Sequence, residues 1–207
     1  MRTFIIAAST ISISTLVVPS LVGAEVIVSN FGADDSFDSS LIFPITGSDF
    51  VETIAGVPII TGATAYRVDA VQLALFADIF GSYAVNFQIR SDQDGIPSDN
   101  ILASATFTEG VPGGSAIVTG HPTPSLRLEP HSTYWLVGTP VERNTYRGWF
   151  INNTVDLGYV YYSGQGWVVD SLSYAPVYRV TGTPVPEPTG ALLICSCCAF
   201  IGHVRRR

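Results

Sequence analysis

The chain has 207 residues, of which 47% are hydrophobic and 13% charged, and it contains no lysine. Residues 25–186 hold 16 acids against 6 arginines, a formal charge of −10 that repels phosphate backbones and excludes nucleic acid as a partner. Nineteen glycines, thirteen prolines and 11% aromatics with so little charge exclude a disordered chain and fit one exported all-β domain.

Residues 1–24 have the layout of a signal peptide. Arg2 supplies the positive start, 4–18 is mostly apolar with small hydroxyl residues, and Val22-Gly23-Ala24 matches the small-residue cleavage pattern. Cleavage by signal peptidase, after delivery by the secretion machinery, is predicted after Ala24.

Period-two hydrophobic alternation then dominates 25–182. It is clearest at Val85-Asn86-Phe87-Gln88-Ile89-Arg90 and over 66–76, where Val71, Leu73 and Leu75 share a face. Further strands are expected at 26–31, 41–46, 49–54, 101–108, 125–128, 133–138, 147–151, 158–162, 166–169 and 177–181. Turn residues such as Gly81-Ser82, Asp94-Gly95 and Gly164-Gln165-Gly166 punctuate them. The pattern predicts a single antiparallel β-sandwich of jelly-roll or immunoglobulin-like type. Its expected core is Leu73, Leu75, Val85, Phe87, Ile89, Leu128, Tyr134, Leu136 and Phe150. Asp-Gly-x-Pro at 94–97 reads as a long polar hairpin, and Glu129-Pro130-His131-Ser132 as a tight corner that leaves Tyr134 and Trp135 on opposite faces.

Beyond 182, Thr183-Pro184-Val185-Pro186-Glu187-Pro188 cannot be helical and predicts a stiff extended spacer over 183–189. An apolar stretch, 190–204, follows, broken only by Ser196 and His203, and then Arg205-Arg206-Arg207. Fifteen helical residues span about 22 Å, short of the roughly 30 Å hydrocarbon core. This suits a transient membrane signal, with the arginines (205–207) held cytoplasmic and the body outside. Cys195, Cys197 and Cys198 are the three cysteines of the chain, so 25–186 can form neither a disulfide nor a Cys-based zinc site.

Pro186-Glu187-Pro188, a short apolar helix and a basic end, in that order, resemble the PEP-CTERM sorting signal of Gram-negative and related bacteria. The resemblance implies processing near the motif by a membrane-embedded exosortase. It also implies inner-membrane association beforehand and transfer to the cell surface or an extracellular matrix afterwards. The cysteine-rich stretch at 195–198 departs from that pattern. The body resembles the choice-of-anchor β domains, particularly type R, through Phe87-Gln88-Ile89-Arg90-Ser91-Asp92-Gln93-Asp94-Gly95-Ile96-Pro97, Ile101-Leu102-Ala103 and 126–137. That resemblance implies an extracellular β-sandwich without established catalytic activity.

Chemistry-bearing residues in the body are few. Asp92, Asp94 and Asp99, around Gly95 and Ser98, offer hard oxygens at a calcium-like spacing, but no glutamate closes the loop and Asp-Gly is equally an ordinary turn. Asp34, Asp35 and Asp38 form a similar acidic group. Trp149 and Trp167 with Tyr162, near Asn152, Asn153 and Gln165, could stack and hydrogen-bond a sugar ring; the same residues could equally pack the sandwich. Neither His121 nor His131 has the surroundings of a serine triad. Arg143 and Arg147 read as solvated or locally ion-paired. The sequence therefore predicts a non-enzymatic, cofactor-free and metal-free surface or matrix protein, with a carbohydrate-binding module on extracellular polysaccharide as the alternative and a secreted hydrolase as the third reading.

Overall fold

A computed structural model describes residues 23–77, 82–108, 113–152, 158–162, 164–170 and 174–186. Residues 1–22 of the expected signal segment and the motif and tail from Glu187 onward, including Pro188 and Arg205, Arg206 and Arg207, lie outside them. The described chain is all-β: β1 (Glu25–Ser29), β2 (Asp38–Thr46), β3 (Ile54–Ile60), β4 (Tyr66–Ala77), β5 (Val85–Gln93), β6 (Ile96–Phe107), β7 (Ser115–Gly120), β8 (Arg127–Leu128), β9 (Thr133–Pro140), β10 (Tyr146–Ile151), β11 (Tyr159–Tyr162), β12 (Trp167–Asp170) and β13 (Tyr178–Pro184). One 3-10 turn, Ala33–Asp35, interrupts the strands.

The strands form two antiparallel sheets. One runs β1-β13-β4-β10-β2, with β7 and β8 also on β4; the other runs β12-β11-β3-β9-β5-β6. Side-chain alternation sends one face of each sheet inward. Ile45, Val57, Ile59, Leu73, Leu75, Val85, Phe87, Ile89, Leu128 and Leu136 meet there, all essentially inaccessible to solvent. Seven of these ten were legible as core in the alternation. Phe150 is buried too, but outside this core. It joins Ala74 and Val177 on the outer face of the first sheet, where Phe31 and Phe37 from the β1–β2 connection cover it. Tyr134 is only half-buried, and its hydroxyl accepts from the Glu129 N–H at 2.9 Å.

Three expectations change. The strand expected at 49–54 is a turn, with Phe50 N–H donating to the Gly47 carbonyl at 3.0 Å, and the strand proper is β3. β3 is apolar on both faces, so it lacks the alternation that marks a half-exposed strand. β7 is additional, its inward Val118 masked in the sequence by the outward, exposed Ile117. The last strand runs past 182: Pro184 pairs with Tyr66, and the Val185 N–H donates to Ala65 at 2.8 Å. The expected free spacer thus begins as sheet.

Buried polar groups fasten the layers. The Tyr178 hydroxyl donates across the core to the Pro58 carbonyl, the Trp149 indole N–H donates to Val177 at 2.7 Å, and Asn30 bonds both Tyr178 N–H (2.7 Å) and the Pro176 carbonyl (3.0 Å). Burial raises the Tyr178 phenol well above its ordinary value. Burial, then the Asp170 charge and hydrogen bond, pushes Tyr159 up to about 12.

Two outcomes are expected. Tyr178→Phe leaves the Pro58 carbonyl without its cross-core donor and lowers unfolding free energy by about 1–2 kcal/mol, measured by chemical denaturation. Stability also falls as pH rises. Unfolded tyrosines ionise near about 10, whereas Tyr159 and Tyr178 keep their protons when folded. The native state then binds more protons than the unfolded state, so their contribution is intact below about pH 10 and declines up to and beyond about 12. Melting followed against pH should show this loss, reduced in Tyr159→Phe.

Candidate functional site

The three tryptophans part company in the structure. Trp149 is fully buried, its ring edge-on to Phe87 at 4.7 Å. A sugar cannot reach it, and its place in the expected stacking group is corrected: on β10, Trp149 alternates with Gly148 and Phe150 and is the inward residue. Asn152, also expected beside the ligand, is buried, its N–H donating to Ala175 at 2.9 Å. Arg147 is likewise corrected. It is buried rather than solvated: its Nη1 donates to the Tyr83 carbonyl at 3.0 Å, its guanidinium lies 5.8 Å from the Tyr83 ring centroid, and burial lowers its pKa. Arg143 is exposed and pairs with Asp49 at 3.1 Å.

Trp135, an aromatic that could equally have joined the stacking group, instead organises the outer face of the second sheet. It is buried there with Val137 and Val160, and Ile54, Ile96 and Trp167 pack on this small cluster. The cover is the β5–β6 hairpin. Asp94 and Gly95 both have positive φ (54° and 84°), as a two-residue primed turn requires. The hairpin expected at 94–97 is present, with a connection of only two residues because β5 runs to Gln93 and β6 starts at Ile96. Pairing irregularities on either side of Arg90 bend the hairpin, and Pro97 comes down over Gly56. A Cβ on Gly56 would lie 3.1 Å from Val160 and 3.4 Å from both Pro97 and Val137, so glycine permits the close approach.

That geometry decides the acidic loop. Asp92 Oδ1 accepts the Trp135 indole N–H at 2.7 Å and Oδ2 accepts the Gly95 N–H at 3.3 Å. Asp94 occupies the turn itself, and Asp99 lies on β6, where its charge raises the Arg90 pKa against the larger effect of burial, which lowers it. The three carboxylates are not brought to one point, and no group of three or more potential metal ligands exists among the described residues. The second acidic group also disperses. Asp35 pairs with Arg179, while Asp38 accepts from Ser40 Oγ (2.5 Å) and N–H (2.8 Å), hydrogen bonds that lower its pKa. His121 is exposed, its Nδ1 2.8 Å from the Asp69 carbonyl oxygen, and His131 sits at a corner with φ 51°.

Tyr162 and Trp167 do come together. They are opposed across the β11–β12 hairpin, edge to face at 5.8 Å, and both are half-exposed. Tyr159 and Tyr161 on the same strand turn into the core, so alternation leaves Tyr162 outward.

The two ends of the described chain also converge. Glu25 pairs with Gly182, which sets exposed Ala24 and exposed Pro186 at the same end of the first sheet. Arg67, Thr183, Pro184, Val185 and Pro186 line a shallow open cleft there of about 260 Å³. Among the described residues no helix is long and apolar enough to cross a membrane. No protein-family model matches the chain, and no curated protein matches its sequence.

The Asp92–Trp135 bond predicts a stability phenotype. Asp92→Ala should cost about 1–3 kcal/mol by orphaning a buried indole N–H, and Asp92→Asn, which keeps an acceptor, clearly less. Millimolar calcium should leave the melting temperature of the parent and of both variants unchanged.

Proposed function

We propose that this chain is an exported, non-enzymatic β-sandwich protein of the cell surface or extracellular matrix, sorted by an exosortase-type enzyme through a PEP-CTERM-like tail. The observation that carries the reading is the tripartite pattern at 186–207: Pro186-Glu187-Pro188, then 190–204, then Arg205, Arg206 and Arg207. Before processing the protein is associated with the inner membrane, with 190–204 as its transmembrane helix, the arginines inside and the body outside.

The fold gives this reading two supports. The sheet grips the chain through Val185, and the next residue, Pro186, is exposed. The motif therefore begins where the sheet lets go, and prolines on both sides of Glu187 keep it extended, as a backbone-reading enzyme needs. Ala24 is exposed at the same end, so signal peptidase and the sorting enzyme approach the body from one side. Within the sandwich the chain passes repeatedly between the sheets, β2 to β3 to β4 to β5 and β8 to β9 to β10 to β11. This favours a jelly-roll over an immunoglobulin-like sandwich.

The intact mass of the protein recovered from its cells tests the proposal. The expected product lacks 1–24 and everything beyond about Pro188, and Glu187→Ala abolishes the second loss. A mass that retains Cys195 and the residues through Arg207 overturns it in favour of a plain tail anchor.

A further inference from the structure

We infer that the outer face of the second sheet binds a neutral polysaccharide, with Tyr162 and Trp167 as the stacking platform. The inference concerns the body and holds whatever becomes of the tail. It starts from an asymmetry among the tryptophans: Trp135 and Trp149 each donate their indole N–H within the protein at 2.7 Å. Trp167 makes no such bond among the described residues, nor does the Tyr162 hydroxyl.

The strand register then builds a row outward from this pair. Tyr162 lies opposite both Trp167 and Ile54. Continuing the Ala55–Gly138 register by one residue brings Thr139 beside Ile54, and Asn86 is opposite both Thr139 and Thr106. Five strand-to-strand steps make this row about 24 Å long. One end is aromatic and the other is hydroxyl and amide. Asn86 Oδ1 accepts from Thr106 Oγ1 at 3.4 Å, and its amide donors make no hydrogen bond among the described residues. None of the six is fully buried, and the hairpin's Pro97 lies over Gly56, two residues along β3 from Ile54.

Chemistry selects the occupant. A pyranose ring offers an apolar C–H face to an aromatic plane and a rim of hydroxyls to amides and hydroxyls. The row contains no charged residue although the body carries 16 acids, whose summed field repels polyanions. An uncharged, extended, repeating ligand fits both facts. Half-exposed aromatics beside an edge strand are otherwise an aggregation hazard.

Affinity electrophoresis of the full chain in mild detergent tests this, in gels cast with dextran, hydroxyethyl cellulose or galactomannan and, as the anionic counterpart, alginate. At least one neutral polymer should retard the protein in a saturable way while alginate does not. Trp167→Ala and Tyr162→Ala should each weaken retardation about tenfold. Phe50→Ala, an exposed aromatic packed on Tyr146 of the first sheet, should leave it unchanged. Asn86→Asp leaves the ring pair in place and should weaken binding several-fold; it decides the matter if the alanine variants melt abnormally. The proposal is overturned if no neutral polymer retards the chain or if alginate does so equally. It is also overturned if binding survives in Asn86→Asp and in a normally folded Trp167→Ala, or if sedimentation shows the face occupied by a second copy in a dimer that Trp167→Ala dissolves.

Discussion

Residues 176–178 hold the constraint on which the rest of the structure depends. The cysteines lie at 195, 197 and 198, so no disulfide can staple 25–186, and a domain of this size must be fastened by other means. Asn30, Trp149 and Tyr178 supply them. Their bonds, at sequence separations of 146, 28 and 120, tie the first strand, the middle of the first sheet and the facing sheet to one short stretch. Hydrophobic burial alone is nearly indifferent to small slips of one layer over another. Buried donors and acceptors are not, because each slip orphans a polar group in a low-dielectric core. One stretch of backbone thereby fixes the register of β1 and β13 and the distance between the sheets.

The same stitch governs how the body would carry load under the sorting reading. Force applied through the tail enters at Val185 and runs along β13, which is paired on one side with β1 and on the other with β4. Pulling along a strand between two antiparallel ladders shears both at once. Peeling would instead break their hydrogen bonds one at a time. Asn30 keeps β1 in place at the far end of this unit, and the Thr183 hydroxyl adds a bond to Asp69 at 2.6 Å near the exit. The chain is therefore gripped along the full length of its last strand before it reaches Pro186.

Alternation made most of this sheet pair legible. Val85, Phe87 and Ile89 face inward as their spacing requires, and Asp94-Gly95 forms the turn those residues favour. What stayed hidden has a common cause: residues packed on both faces. β3 reads as a continuous apolar run, because Ala55, Val57 and Ile59 enter the core while Gly56 and Pro58 lie under the outer cover. Trp149 and Arg147 sit in the aromatic, polar half of the chain, and nothing local shows that both point inward. The Asp92–Trp135 bond joins residues 43 apart through a bend in the hairpin, so the acidic loop looks like a cation site in one dimension and is an indole acceptor in three.

Each sheet has apolar residues on its outward face, and the two are covered unequally for a geometric reason. The first is capped by the β1–β2 connection, whose Phe31 and Phe37 lie over Phe150 and its neighbours. The second has only the turn end of the β5–β6 hairpin, beyond the bend at Arg90. That end packs Ile96 on Trp135, Val137 and Val160 and brings Pro97 over Gly56. Lengthening that turn would cover more surface but would loosen the Asp92 clamp, since Asp92 bonds both the turn and Trp135. The open Tyr162–Trp167 row thus follows from how the hairpin is held. The row that results holds no charged residue on a body of formal charge −10, and it is aromatic at one end and hydrogen-bonding at the other.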